Sequence, residues 1–149
     1  MLAPIWGDTD RSLQGLESGV NRGVSMSAKK YESKSLNSPD EVRKFEKGKV
    51  EVVKVAGAVI GRATFEPGWK WSTHVKPIAK TKSCEAPHFG YLVSGTLKTR
   101  MDDGTEVTSK AGDVVNIPPG HDGWNDGNEP AVFLDFQGMV EYAKQKKKK

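Results

Sequence analysis

The chain has three histidines, His74, His88 and His121, and one cysteine, Cys84, which falls between the first two. Neutral imidazole and thiolate are ligands for Zn, Fe, Mn, Ni or Cu. Several of them converging in one cavity would leave open positions for water or a small substrate. Alternate residues of an extended strand share a face, so Cys84 and His88 point the same way if strand geometry runs from 84 into the GYLVSG stretch. Taken singly, each histidine also reads as a capping or solvent-titrating group, and Cys84 as an inert buried thiol.

Aromatic residues sit beside these donors. Trp69, Trp71, Tyr91 and Trp124 would form a wall around an apolar or planar ligand, or else pack in a core or an interface. Asp135 lies in the apolar run FLDF, where a carboxylate must face solvent or find a partner. The chain has no glycine-rich phosphate loop and no GxSxG nucleophile elbow. The Asp102-Asp103 pair is explained by the turn it makes with Gly104.

The elements that must position these groups are short. From Val50 onward, strand-like runs alternate with turn residues: VEVVKVAG, AVIGRATF, EPGWKW, FGYLVSG, TLKTRM, TEVTSKAG, DVVNIPPG and AVFLDFQG. No helical run of ten or more residues separates the strands. Parallel βαβ architecture is thereby disfavoured, and an all-β sandwich or barrel is left. Ser38-Pro39-Asp40-Glu41 predicts a short N-terminal helix through about Phe45, and MVEYAKQ a helical stub before the final lysines. Residues 1–30 read as a flexible arm, within which Met26 is an alternative start, and residues 31–143 read as one domain.

Two stretches resemble the motifs of the cupins. In GDVVNIPPG, Gly112, Pro118 and Gly120 match the second motif, a glycine, five residues, then Pro-x-Gly. Gly68 to His74 resembles the opening of the first motif, and His88 to Gly95 resembles its end, with His88 in the place of the metal-binding glutamate and Cys84 at the spacing of a motif histidine. The second motif's ligand position is Gly123, and His121 stands two residues early on the same face of an extended strand.

This resemblance implies a double-stranded β-helix, a jelly-roll barrel with its core over about residues 50–138, and a divalent transition metal inside it. It names His74, His88, His121 and, as a fourth donor, Cys84 as the ligands. If the protein is an enzyme, the resemblance points to a metal-dependent dioxygenase, isomerase or lyase acting on a small molecule. A metal-free small-molecule sensor and a non-catalytic scaffold remain the alternatives, and association as a homodimer is expected.

The net charge of +4 reflects Lys144 and Lys146 to Lys149, without which the remainder carries −1. A run of this kind reads as a solvated, disordered tail, so specific nucleic-acid binding is not expected. One cysteine excludes an internal disulfide, and no apolar stretch reaches the length of a membrane span. The expectation is a soluble cytoplasmic protein.

Overall fold

A computed structural model describes residues 30–145; residues 1–29 and 146–149, which include the arm and most of the lysine tail, lie outside the described residues. Among the described residues, nine strands form two antiparallel sheets. The larger contains β1 (Glu41–Phe45), β2 (Gly48–Val55), β3 (Ala58–Phe65), β9 (Ala131–Asp135), β4 (His88–Ser94) and β7 (Val114–Ile117), in that spatial order. The smaller has β5 (Thr96–Met101) between β6 (Glu106–Lys110) and β8 (His121–Trp124).

Tight turns set the register. Val55 pairs with Ala58 across a loop of two residues, Ala56 and Gly57, both at positive φ, as the right-handed twist of a hairpin favours. The Asp102-Asp103-Gly104 turn joins β5 to β6, as its residue types predict, with Gly104 at φ 90°. Gly95 turns the chain between β4 and β5, where a side chain would collide with the Pro130 carbonyl.

Alternation then sorts the side chains. Ala131, Phe133 and Asp135 of β9 are buried with Val132 and Leu134 less so, and on β4 His88, Gly90 and Leu92 face inward. Val50, Val52, Ala63, Phe65, Leu92 and Phe133 make the centre of the core.

Three local expectations are corrected. The predicted N-terminal helix is strand β1, because residues 41–45 pair one for one with β2, and the Asp40 carboxylate accepts the Lys54 N–H instead of standing in the first turn of a helix. So short a segment gains little from helical hydrogen bonds of its own. The EPGWKW run is no strand: Trp71–His74 forms α1 and Lys76–Ala79 forms α2, with Trp71 buried at the start. The C-terminal stub is a series of turns rather than a helix. It is held by Arg43, whose buried guanidinium donates to the carbonyls of Met139 (2.7 Å), Tyr142 (2.8 Å) and Val140 (3.2 Å). Met139, Tyr142 and Ala143 are thereby buried against the core.

Candidate metal centre

Four chain segments bring the donor groups together. His88 begins β4 and Asp135 ends β9, on the inward faces of neighbouring strands. The residues paired with Asp135 in the register are Gly90 and Gly61, so no side chain opposes it there. A side chain at Gly138 would overlap both His88 Nδ1 and Asp135 Oδ2, so the chain after β9 can pass over the pair only as glycine.

Cys84 precedes β4 and pairs by its backbone with His121 of β8: its N–H donates to the His121 carbonyl at 2.8 Å, and its carbonyl accepts the Gly120 N–H at 2.8 Å. Residues so paired carry neighbouring side chains. The Pro118-Pro119-Gly120 bend, with Gly120 at φ 90°, turns the chain from β7 into β8 and delivers His121 to the interior.

The donor atoms of Cys84, His88 and His121 all lie within 4.8 Å of one another, and all three residues are buried. Cys84 Sγ is 3.6 Å from His88 Nε2. A tetrahedral ion with bonds of about 2.3 Å to sulfur and 2.0–2.1 Å to nitrogen separates its S and N ligands by about 3.5 Å. The observed spacing fits that value.

Both imidazoles are oriented by acceptors on their other nitrogen. His88 Nδ1–H donates to Asp135 Oδ2 at 2.5 Å, and His121 Nδ1–H donates to the Pro118 carbonyl at 2.7 Å. A carboxylate and a carbonyl can only accept, which fixes the proton on each Nδ1 and leaves each Nε2 as the ligand atom. Asp135 is itself held, its Oδ1 accepting the N–H groups of Gln137 and Gly138.

Of the residues the sequence singled out, the structure gathers Cys84, His88, His121 and Asp135, and separates three others. His74 is corrected: it ends α1, its Nδ1 accepts the Lys70 N–H at 2.9 Å, its Nε2 lies 4.0 Å from Glu46, and it is not among the clustered donors. Tyr91 is also corrected, because odd-numbered residues of β4 point outward, and it is 39% exposed. Trp124 stands away from the cavity, its ring between Lys70 (5.5 Å) and Arg100 (5.2 Å). Trp69 and Trp71 do line the cavity. Phe65, Phe133, Met139 and Tyr142 complete the wall and were not singled out from the sequence. Tyr142 packs edge-on against His88, with ring centroids 5.4 Å apart. Only the C-terminal turns, which residue patterning did not predict, bring Met139 and Tyr142 here.

In the metal-free protein these groups share charge. Burial disfavours imidazolium at His88, but the Asp135 hydrogen bond, Cys84 and their charges outweigh it and raise its pKa to about 9. Burial likewise pushes the Cys84 thiol up, yet the neighbouring His121 and His88 rings bring it down to about 7. The pair is thus thiolate and imidazolium near neutral pH.

The His88 shift stabilises the fold fully below its ordinary value of 6.5 and is lost as pH rises through about 9. The Cys84 shift acts in the opposite sense, present above 9.0 and lost as pH falls through about 7. Between about pH 7 and 9 the folded and unfolded chains have each released one proton from this pair, so the two slopes cancel. Chelated wild-type protein is expected to show flat stability across that window in denaturant titrations. Cys84→Ser removes one slope, and its stability should fall with rising pH by up to about 1.4 kcal/mol per unit. A wild-type curve as steep as the variant's would contradict this.

A family model described as "Cupin domain" matches residues 61–137, more than half of the chain. This protein belongs to the cupin family. No curated protein matches it. Among solved structures, a Cupin 2 conserved barrel domain protein from Salinispora arenicola is similar at 15% identity and a TM-score of 0.51, over 75% of this chain and 94% of the other. A protein with a double-stranded β-helix domain from Klebsiella pneumoniae is similar at 20% identity and a TM-score of 0.48, over 79% of this chain and all of the other. An oxalate decarboxylase of Lactobacillus farciminis is similar at 23% identity and a TM-score of 0.49, over 68% of this chain, which spans only 32% of that enzyme. Among the described residues no helix is long and apolar enough to cross a membrane.

Proposed function

We propose that this cupin binds one divalent transition metal through Cys84, His88 and His121 and uses it to hold or act on a small molecule in the adjoining cavity. The observation that carries this is the commitment of both Nδ1 atoms to acceptors, which leaves the Nε2 of each ring to face an ion beside the Cys84 sulfur, His88 releasing its Nε2 proton as the ion binds. A sulfur and two imidazole nitrogens suit Zn, Fe, Ni or Cu better than Mg or Ca, with Mn the weakest candidate of the imidazole-favouring set. A bound ion would supply Lewis acidity toward an oxygen-bearing ligand. The chain's own part is to orient the donors, through Asp135 and the Pro118 carbonyl, and to shield them with Trp71, Met139 and Tyr142.

Reconstituted protein is expected to hold one metal per chain. Cys84→Ser should abolish the sulfur-to-metal charge-transfer absorption of the Co2+ form, and His74→Ala should leave uptake unchanged. Unaltered Co2+ spectra in Cys84→Ser, or loss of uptake in His74→Ala, would refute the assignment.

A further inference from the structure

We infer that the cavity between the two sheets takes a small uncharged molecule built on a single flat ring and bearing one hydrogen-bond acceptor, the chemistry of a simple phenol. The inference deepens the reading above and rests on it for what happens at the ligand's oxygen, whereas binding of the ring depends on the cavity alone.

Size sets the first limit. About 50 Å³ of the cavity is open to the centre of a water-sized molecule, and one water needs roughly 10–15 Å³ measured that way. Three to five waters fit, or one small ring. A sugar chain or a nucleotide does not.

The walls set the second. Phe65, Trp69, Trp71, Leu92, Phe133 and Met139 present apolar and aromatic surface, and Trp69 stacks on Phe65 with centroids 3.9 Å apart. A flat ring extends such a stack.

Charge sets the third. Two cationic side chains lie along the wall of the metal-free protein, Lys98, whose Nζ is bound to Asp126 at 2.8 Å, and His88, which is held between the Asp135 carboxylate and the Cys84 sulfur. Arg43 is spent on the C-terminal carbonyls, and Arg100 pairs with Glu106 on the exposed side. A carboxylate entering here would lose its hydration without gaining a free cation from these side chains. Neutral hydroxyls are available instead, at Thr99 and Ser109.

The fourth observation is an orphan. Trp69 lines the cavity, and its Nε1–H is buried without an acceptor in the protein. Nearly all buried donors are paired, and leaving one unpaired is costly. The atom is closed to water as the ring stands, so a ligand oxygen would reach it with a small shift of the indole, and accepting there would satisfy it.

Phenol, toluene and benzoate, which share one ring, separate these points when titrated calorimetrically into chelated protein. Phenol is expected to bind at least tenfold more tightly than benzoate. Trp69→Phe, which keeps a ring on Phe65 and removes the N–H, should weaken phenol relative to toluene about five- to tenfold, and retained toluene binding reports that the variant's cavity is intact. If the variant loses toluene as well, the wild-type ranking of phenol over benzoate decides. Benzoate binding as tightly as phenol, no binding of either neutral ring, or a phenol-to-toluene ratio unmoved in an intact variant would overturn the inference. Metal uptake is measured on ligand-free protein in parallel: uptake without phenol binding sinks this inference alone, and phenol binding without uptake sinks the metal assignment alone.

Discussion

His88→Ala is expected to abolish metal binding and to destabilise the metal-free fold by about 3–5 kcal/mol, the cost of leaving one partner of a buried ion pair alone. Asp135 is fully buried, and its Oδ2 faces His88. Without the imidazole, its charge has the N–H groups of Gln137 and Gly138 on the other oxygen and no cation in contact. For a domain of this size the loss corresponds to roughly 10–20 °C in Tm.

Adding Asp135→Asn to His88→Ala removes the stranded charge and keeps an oxygen for those two N–H groups, so the double variant should regain stability without regaining metal. Asp135→Asn alone offers His88 an amide that can donate, no longer fixes the proton on Nδ1, and should lower metal affinity about 10- to 100-fold. Thermal unfolding with metal titration separates these outcomes. Equal stability of His88→Ala and wild type would show that the pair carries no charge of consequence.

The second large effect is expected outside the donor set, at Arg43. Its guanidinium reaches three carbonyls of the C-terminal turns and is tied on its other side to Glu41 at 2.9 and 3.1 Å. Arg43→Met keeps the apolar stem and strands those carbonyls, two of them in buried hydrogen bonds, at about 1–3 kcal/mol each. A total near 3–5 kcal/mol is expected.

The functional consequence exceeds the thermodynamic one, because Met139 and Tyr142 are walls of the cavity and Tyr142 packs on His88. Amide exchange over residues 138–143 should quicken sharply in the variant while the central strands, led by β3 and β9, stay protected. Unchanged protection over 138–143 would show that the segment is held by its apolar contacts alone.

How much of this was legible in the sequence depends on the range of the interaction responsible. Most of the strands from β2 onward follow from short apolar runs and turn residues, which are local, and the motifs Gly68 to Gly95 and Gly112 to Gly120 suggest the fold; β8, four residues after a bend, is not among the runs the patterning marks. Asp135 stood out because an apolar run explains no carboxylate, yet its partner is fixed only by the pairing of β9 with β4, a long-range contact. His121 illustrates the same boundary. Its parity with Gly123 would put it on the inner face only if the strand ran straight from Gly120, and the bend at Pro118, which supplies the carbonyl that sets its tautomer, is a feature that parity does not reach.

Errors fell where tertiary contacts overrode local preference. Residues 41–45 carry helix-start signals and pair as a strand because β2 offers a complete ladder. His74 sits at a motif spacing but lies in a short helix, where its nitrogen takes a backbone N–H four residues earlier. The C-terminal segment forms turns in place of the expected helical stub because what holds it is Arg43, about 100 residues away in the chain.

A metal shared by one thiolate and two imidazoles has a signature in X-ray absorption at the metal edge of Zn-reconstituted protein. One sulfur scatterer is expected near 2.3 Å with nitrogen scatterers near 2.0–2.1 Å, the sulfur shell vanishing in Cys84→Ser. A shell of nitrogen and oxygen alone in the wild-type protein would contradict it.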